Sequence, residues 1–213
     1  MNIYAVYGAS GCGRGIMPLL RQQVGSEHRC LFIDDNLAGQ DCNGQAVISY
    51  ADYLAMDADI KYVSIAIANS TIRQQIAEKC LKDGLRFHEI RAMNVIQMDD
   101  VQLGQGALLS PFVTLTSNIR IGGHFHANLY SYVEHDCMIG DFVTFAPGVK
   151  CNGNVVIEDH AYIGTGAVIK QGKPGAPLVI GKGAVVGMGA VVTKSVPPGV
   201  TVVGNPARIL DKA

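Results

Sequence analysis

From Val101 onward the chain divides into hexads: VQLGQG, ALLSPF, VTLTSN, IRIGGH, FHANLY, SYVEHD, CMIGDF, VTFAPG, VKCNGN, VVIEDH, AYIGTG, AVIKQG and, after KPGAP, LVIGKG, AVVGMG, AVVTKS. The third residue of every hexad is apolar, from Leu103 and Leu109 through Phe145 and Cys151 to Val186 and Val192. The first is apolar or small throughout, and the fourth is often Gly, Asn or Glu. A period of six fits neither a 3.6-residue helix nor a simple two-residue alternation. It predicts a parallel β-helix in which each hexad is one short strand and a corner. The third residue points into a narrow core, and three hexads make a triangular coil. Residues 18 apart in the sequence then stack at about 4.8 Å, the spacing of hydrogen-bonded strands. The fifteen hexads make five such coils. The insert at 173–177, with Pro174, Gly175 and Pro177, is expected to loop out between coils. A content of 25 glycines with no tryptophan suits a fold made largely of tight turns.

The first half has a different rhythm. NIYAVYG (2–8) reads as a buried strand, GASGCGRG (8–15) as a glycine-rich turn, and IMPLLRQQ as a helix continuing from it. CLFIDDN (30–36) and KYVSIAIAN (61–69) read as further strands, and TIRQQIAEKCLKDG (71–84) as an amphipathic helix closed by Gly84. Strands alternating with helices predict βαβ units on a parallel sheet. This gives an α/β, Rossmann-like half domain over residues 1–90 and the β-helix over 91–213, with FHEIRAMN (87–94) as the bridge.

Several function classes are disfavoured at once. A net charge of −1 offers no field to attract nucleic acid. No leader and no membrane span are apparent, which predicts a cytoplasmic protein. The six cysteines form no CxxC pair of the kind used for zinc or redox work.

Two constellations carry chemistry. Gly8, Gly11, Gly13 and Gly15 let the backbone of the first turn approach a ligand closely, and the helix that follows presents N–H groups to a phosphate. Arg14 is placed to add charge, and Asp34 and Asp35 end the second strand, where such folds read a ribose or base. A nucleotide is expected here, but not NAD(P), because the second half of a dinucleotide fold is missing. The other constellation is EHDCMIG (134–140), three polar side chains in an aliphatic tract. His135 falls at the fifth position of its hexad, beside a corner, so its ring should project outward. Its ordinary pKa suits proton transfer near neutrality. Asp136 can hold one ring nitrogen, and Gly153, one coil on, can offer its N–H to a developing oxyanion. By residues alone this is either a catalytic base or a surface histidine with an acidic neighbour. Glu134, Asn128 and Asn154 read as corner residues.

YGASGCGRG, FIDDN, EHDCMIGDF, CNGNV, GAVV and the terminal GNPARIL together resemble the sugar acyltransferases typified by bacterial nucleotide-activated amino-sugar N-acetyltransferases. The resemblance implies a left-handed β-helix and a homotrimer with active sites at the subunit interfaces. It implies a UDP- or dTDP-linked sugar on the first domain, held around Gly11, Cys12, Gly13, Arg14, Asp34 and Asp35. Acetyl-CoA would lie along the β-helix near Thr144, Thr165 and Gly187, with no metal required. His135 would be the general base, with Asp136 raising its basicity. The expected acceptor is the C4 amine of a 4-amino-4,6-dideoxy sugar for bacterial surface glycans. Many relatives carry His where this chain has Cys12.

Three other readings stay open. Sialic acid O-acetyltransferases resemble the same pattern, and a non-enzymatic nucleotide-sugar sensor is a further possibility. Zinc carbonic anhydrases share the hexapeptide repeat, and His124 and His160 lie two coils apart as their metal ligands do. The third ligand position, however, is Thr165.

Overall fold

The computed structural model describes residues 1–210. It divides into one unit formed by Met1–Met93 with Gln105–Leu108, and a second formed by Asn94–Gly104 with the chain from Leu109 onward. Residues 105–108 go with the first unit. Ala107 accepts a hydrogen bond from the Ile90 N–H at 3.0 Å, and Leu108 joins the apolar cluster of Val6, Ile16, Leu20 and Phe32.

The first unit runs β1 (Ile3–Tyr7), α1 (Gly11–Val24), β2 (Arg29–Ile33), β3 (Asp41–Cys42), β4 (Gln45–Ile48), α2 (Tyr50–Ala55), β5 (Lys61–Ile65), α3 (Ser70–Lys82) and β6 (Arg86–Phe87). The sheet order is β3-β4-β2-β1-β5-β6, parallel except for the β3–β4 pair. β1 is covered on both faces, so its residues are apolar in succession rather than alternating. Helix α1 starts at Gly11, inside the stretch expected to be only a turn. Helix α3 is capped by Asn69, whose side-chain oxygen accepts from the N–H groups of Thr71 and Ile72, each at 3.0 Å. It ends as expected, with Gly84 in the left-handed region at φ 76°. The β3–β4 hairpin and α2 were not legible in the sequence, being too short to show a period.

The second unit is the left-handed parallel β-helix. Its strands pair in parallel at a register of 18: Leu115 lies beside Val133, Val133 beside Cys151 and Cys151 beside Ile169. Beyond the insert the offset grows to 23, pairing Ile157 with Ile180 and Ile163 with Val186. The five inserted residues therefore leave the register of the faces intact. Every third-position side chain from Leu109 to Val192 is buried. Rungs extend the repeat beyond its legible ends, among them Ile96–Gln97, which pairs with Thr114–Leu115, and Thr201–Val203, which pairs with Val185–Val186. The first escaped notice because its third residue is the exposed polar Gln97.

The corners are made at the sixth position, not the fourth. Phe112, Asn118, His124, Tyr130, Asp136, Phe142, Asn154 and His160 all have φ between 55° and 63° there. Such angles are uncommon for any residue with a side chain and rare for bulky ones. The larger ones stack with their counterparts in adjacent coils. Phe112 and Tyr130 lie with ring centroids 4.8 Å apart, and Phe142 is sandwiched between His124 at 5.1 Å and His160 at 5.4 Å. The two histidines two coils apart thus serve as stacking partners of one phenylalanine. Among the described residues no helix is long and apolar enough to cross a membrane.

The interior depends on few large side chains. Phe145 is fully buried and meets Phe125 edge to face at 5.1 Å. Phe145→Ala is expected to cost about 3–5 kcal/mol of stability, read as a lower denaturant midpoint at unchanged slope.

Candidate active site

In the first unit the glycine turn is shaped by close approach. A Cβ on Gly13 would sit 1.8 Å from the carbonyl oxygen of Gly8, so α1 can dock against the end of β1 only with glycine there. The N-cap residue Ser10 makes no side-chain cap, and the first intrahelical bond runs from Arg14 N–H to Ser10 O at 2.9 Å. The N–H groups of Gly11, Cys12 and Gly13 precede that bond, at the positive end of the helix dipole, an arrangement suited to a phosphate. Arg14 folds back, its Nη1 donating to Ala9 O at 3.3 Å.

The two acids are placed beside this turn but are already engaged. Asp34 accepts from Ala9 N–H at 3.1 Å through one oxygen and from Asn36 N–H at 3.2 Å through the other. Asp35 accepts from Tyr50 N–H at 2.7 Å at the start of α2. Both therefore fasten the C-terminal edge of the sheet, and any ligand contact uses their remaining lone pairs. Burial pushes the Cys12 thiol up, an effect the Arg73 guanidinium partly offsets. A thiol held protonated is a weak nucleophile.

Arg73 was missed in the sequence. It is fully buried, and its Nη1 donates to the carbonyls of Ile67 at 2.7 Å and Ala68 at 3.2 Å, tying down the loop after β5. Burial lowers its pKa to about 10, so it stays cationic at neutral pH. The available signal was helical spacing, since Arg73, Ala77 and Cys80 form the buried stripe of α3.

In the second unit His135, Asp136 and Gly153 do come together. His135 Nδ1 lies 2.8 Å from Asp136 Oδ2. The imidazole is 45% exposed, outward from the corner as its hexad position predicts. Its backbone is pinned by Asn154 N–H, which donates to His135 O at 3.0 Å. The ring lies against Gly153: a Cβ there would come within 2.6 Å of both Cε1 and Nε2. Gly153 is therefore glycine because the ring occupies the space of its missing side chain. Among the described residues neither His135 Nε2 nor the Gly153 N–H is engaged in a hydrogen bond. Hydrogen bonding to Asp136 raises the His135 pKa, and the same contact, with a second from Asn118, lowers that of Asp136. With Nδ1–H given to the carboxylate, the Nε2 lone pair is left to accept a proton.

Thr144, Thr165 and Gly187 lie elsewhere. All three belong to the face built from hexads 143–148, 161–166 and 184–189, whereas His135 ends the face of 131–136. Thr144 is buried and Thr165 exposed. Within one chain they do not converge on His135. The third face, which begins just past Asp136, carries an open trough of about 800 Å³ lined by Arg120, Met138 and Lys182 among others and floored by Gly122 and Gly140.

A hexapeptide β-helix with a solvent-facing imidazole at one corner is the architecture of hexapeptide-repeat acyltransferases. A family profile for the PglD N-terminal domain matches residues 4–80. GDP-perosamine N-acetyltransferase from Escherichia coli O157:H7 is 54% identical across 100% of this chain and 98% of its own length. The structure of WeeI from Acinetobacter baumannii AYE is similar with a TM-score of 0.97 at 61% identity, covering 99% of this chain and 100% of that one. The acetyltransferase domain of PglB from Neisseria gonorrhoeae FA1090, in complex with acetyl coenzyme A, gives a TM-score of 0.86 at 28% identity, covering 98% of each chain. The chain belongs to the nucleotide-sugar N-acetyltransferases of the hexapeptide-repeat acyltransferase family.

The contact with Asp136 predicts a specific titration. A carboxylate accepting from Nδ1–H favours imidazolium, so the His135 pKa lies above that of an ordinary imidazole, and Asp136→Asn should lower it. NMR titration of the His135 ring protons reads this directly. Gly153→Ala should also lower it, by forcing the ring off its carboxylate.

Proposed function

We propose that the protein transfers the acetyl group of acetyl-CoA to the amine of GDP-perosamine, a GDP-linked 4-amino-4,6-dideoxy sugar. The observation that carries this reading is the His135–Asp136 pair at 2.8 Å, lying over Gly153. The name of the Escherichia coli relative supports the GDP-linked amino sugar over the UDP or dTDP sugar expected from the resemblance, and it favours an amine over a hydroxyl acceptor. The acetyl coenzyme A bound in the related PglB domain supports the donor.

In the proposed reaction the neutral amine attacks the thioester carbonyl, and His135 Nε2 takes the proton that nitrogen loses as the C–N bond forms. The Gly153 N–H receives the oxyanion. Collapse breaks the C–S bond, and His135 returns the proton to the departing thiolate, giving amide and free CoA. No acetyl-enzyme forms. The sugar nucleotide is held by the α1 N-terminus, Arg14, Asp34 and Asp35 beside Cys12. Thr144, Thr165 and Gly187 serve acetyl-CoA. Because those three lie on a different face from His135, the reading includes a homotrimer in which one chain's cofactor face meets its neighbour's His135 corner. All six cysteines are free thiols, which suits work in the reducing cytoplasm.

A panel of GDP-, UDP- and dTDP-linked amino sugars with acetyl-CoA, followed by release of free thiol, tests the substrate. GDP-perosamine should give the highest kcat/KM, and a faster UDP or dTDP sugar would displace it. His135→Ala should lower kcat by about 10²–10⁴-fold with acetyl-CoA binding retained. Light scattering showing a stable monomer of 22.6 kDa at micromolar concentration would remove the trimer.

A further inference from the structure

The corner that carries His135 belongs to a vertical column. Asp100, Asn118, Asp136 and Asn154 succeed one another at intervals of 18 residues, with φ of 52°, 58°, 57° and 55°. The backbone asks only that each tolerate the left-handed region, which Asn, Asp or Gly would do equally. The side chains do more. Asp100 is taken by Arg120, whose Nη2 lies 2.9 Å from its Oδ2 and whose Nη1 donates to its carbonyl at 2.8 Å. That leaves the Asn118 amide for the coil above. Its Nδ2 donates to Asp136 Oδ1 at 3.2 Å, while Oδ2 of the same carboxylate meets His135 Nδ1 at 2.8 Å. One carboxylate is thus held through both oxygens, in two directions.

We infer that Asn118 is a positioning residue for acetyl transfer, fixing the Asp136 carboxylate so that it in turn fixes the tautomer and plane of the His135 ring. This rests on His135 being the base. The need for such a brace is visible in the exposure: the Asp136 side chain is half exposed, and a carboxylate held only by an exposed imidazole would be free to turn toward water. The amide donor also favours the ionised form of Asp136. The other titratable groups near the ring are Glu134 and the Cys137 thiol, and neither touches the second oxygen of Asp136.

The test uses Asn118→Gly and Asn118→Asp in the full-length protein. Both residues accept the left-handed backbone, so a purely structural role predicts wild-type behaviour from both. With Gly the brace is lost. The kcat should fall about tenfold, less than the 10²–10⁴-fold carried by the base itself, with KM for both substrates steady and the His135 pKa lower by NMR titration. With Asp a second carboxylate repels Asp136, so kcat should fall similarly while the added negative charge keeps the His135 pKa from falling. Wild-type kcat and an unchanged imidazole titration in either variant would overturn the inference. A near-normal His135→Ala enzyme beside a lowered imidazole pKa in Asn118→Gly would remove the base reading and leave the contact of Asn118 with the His135–Asp136 pair standing.

Discussion

Each coil of the β-helix must turn three corners in 18 residues, and at most of them the backbone does so by placing the sixth residue of the hexad in the left-handed region. Most of what matters in the second unit follows from that. The corner residues stack in vertical columns, one per edge of the prism, so a side chain at a corner has its natural neighbours one coil above and one below. In two columns the neighbours are aromatic rings or glycines. In the third they are short polar side chains. That column holds Asp136 within reach of Asn118 and turns His135, one position earlier, out of the prism. A strand-interior histidine would be trapped in the core or spread along a flat face. A corner histidine is exposed on one side and backed by main chain on the other.

The backing matters as much as the exposure. Parallel coils in hydrogen-bonding contact leave little room for a ring lying along the stack, and the imidazole fits only because the next coil presents Gly153 beneath it. The same glycine lets the ring lie against its backbone without a side chain intervening. The residues proposed as base and oxyanion donor are thus adjacent through a constraint that is first of all steric. The first unit repeats the theme with other parts. Gly13 lets α1 close against Gly8, and Asp34 bonds back to Ala9, so the helix N-terminus is presented in one orientation. Arg73, buried in α3, fastens the adjoining loop through its carbonyls.

The three faces of the prism carry different features. His135 stands at the end of one face, the residues read as serving acetyl-CoA lie on another, and the open trough lies on the third. A triangular prism cannot bend one face toward another, because its core is a single column of third-position side chains with no slack. If Thr144, Thr165 and Gly187 serve acetyl-CoA and His135 is the base, as proposed, their convergence calls for a second prism alongside the first. The homotrimer proposed above would supply that second prism.

Much of this was legible in the sequence. The hexad period by itself determined the β-helix, its register of 18, its inward residues and the loop at 173–177, because a repeat with one obligatory core position leaves a mark that survives any change elsewhere. The βαβ order, the glycine turn and the outward placement of His135 were also readable, being local in the chain. Other features were decided only by the tertiary structure. The period stacks Asn118 under Asp136, but only the folded structure shows that its amide donates to the carboxylate oxygen His135 does not use. Asp34 and Asp35 look like free ligands until the turn and α2 claim their oxygens. Arg73 looks like a surface charge until α3 docks. Even the reason for Gly153 was hidden, since it depends on where a ring from the previous coil comes to rest. Periodicity is written along the chain, whereas the partner of a polar side chain is set by which distant segment folds against it.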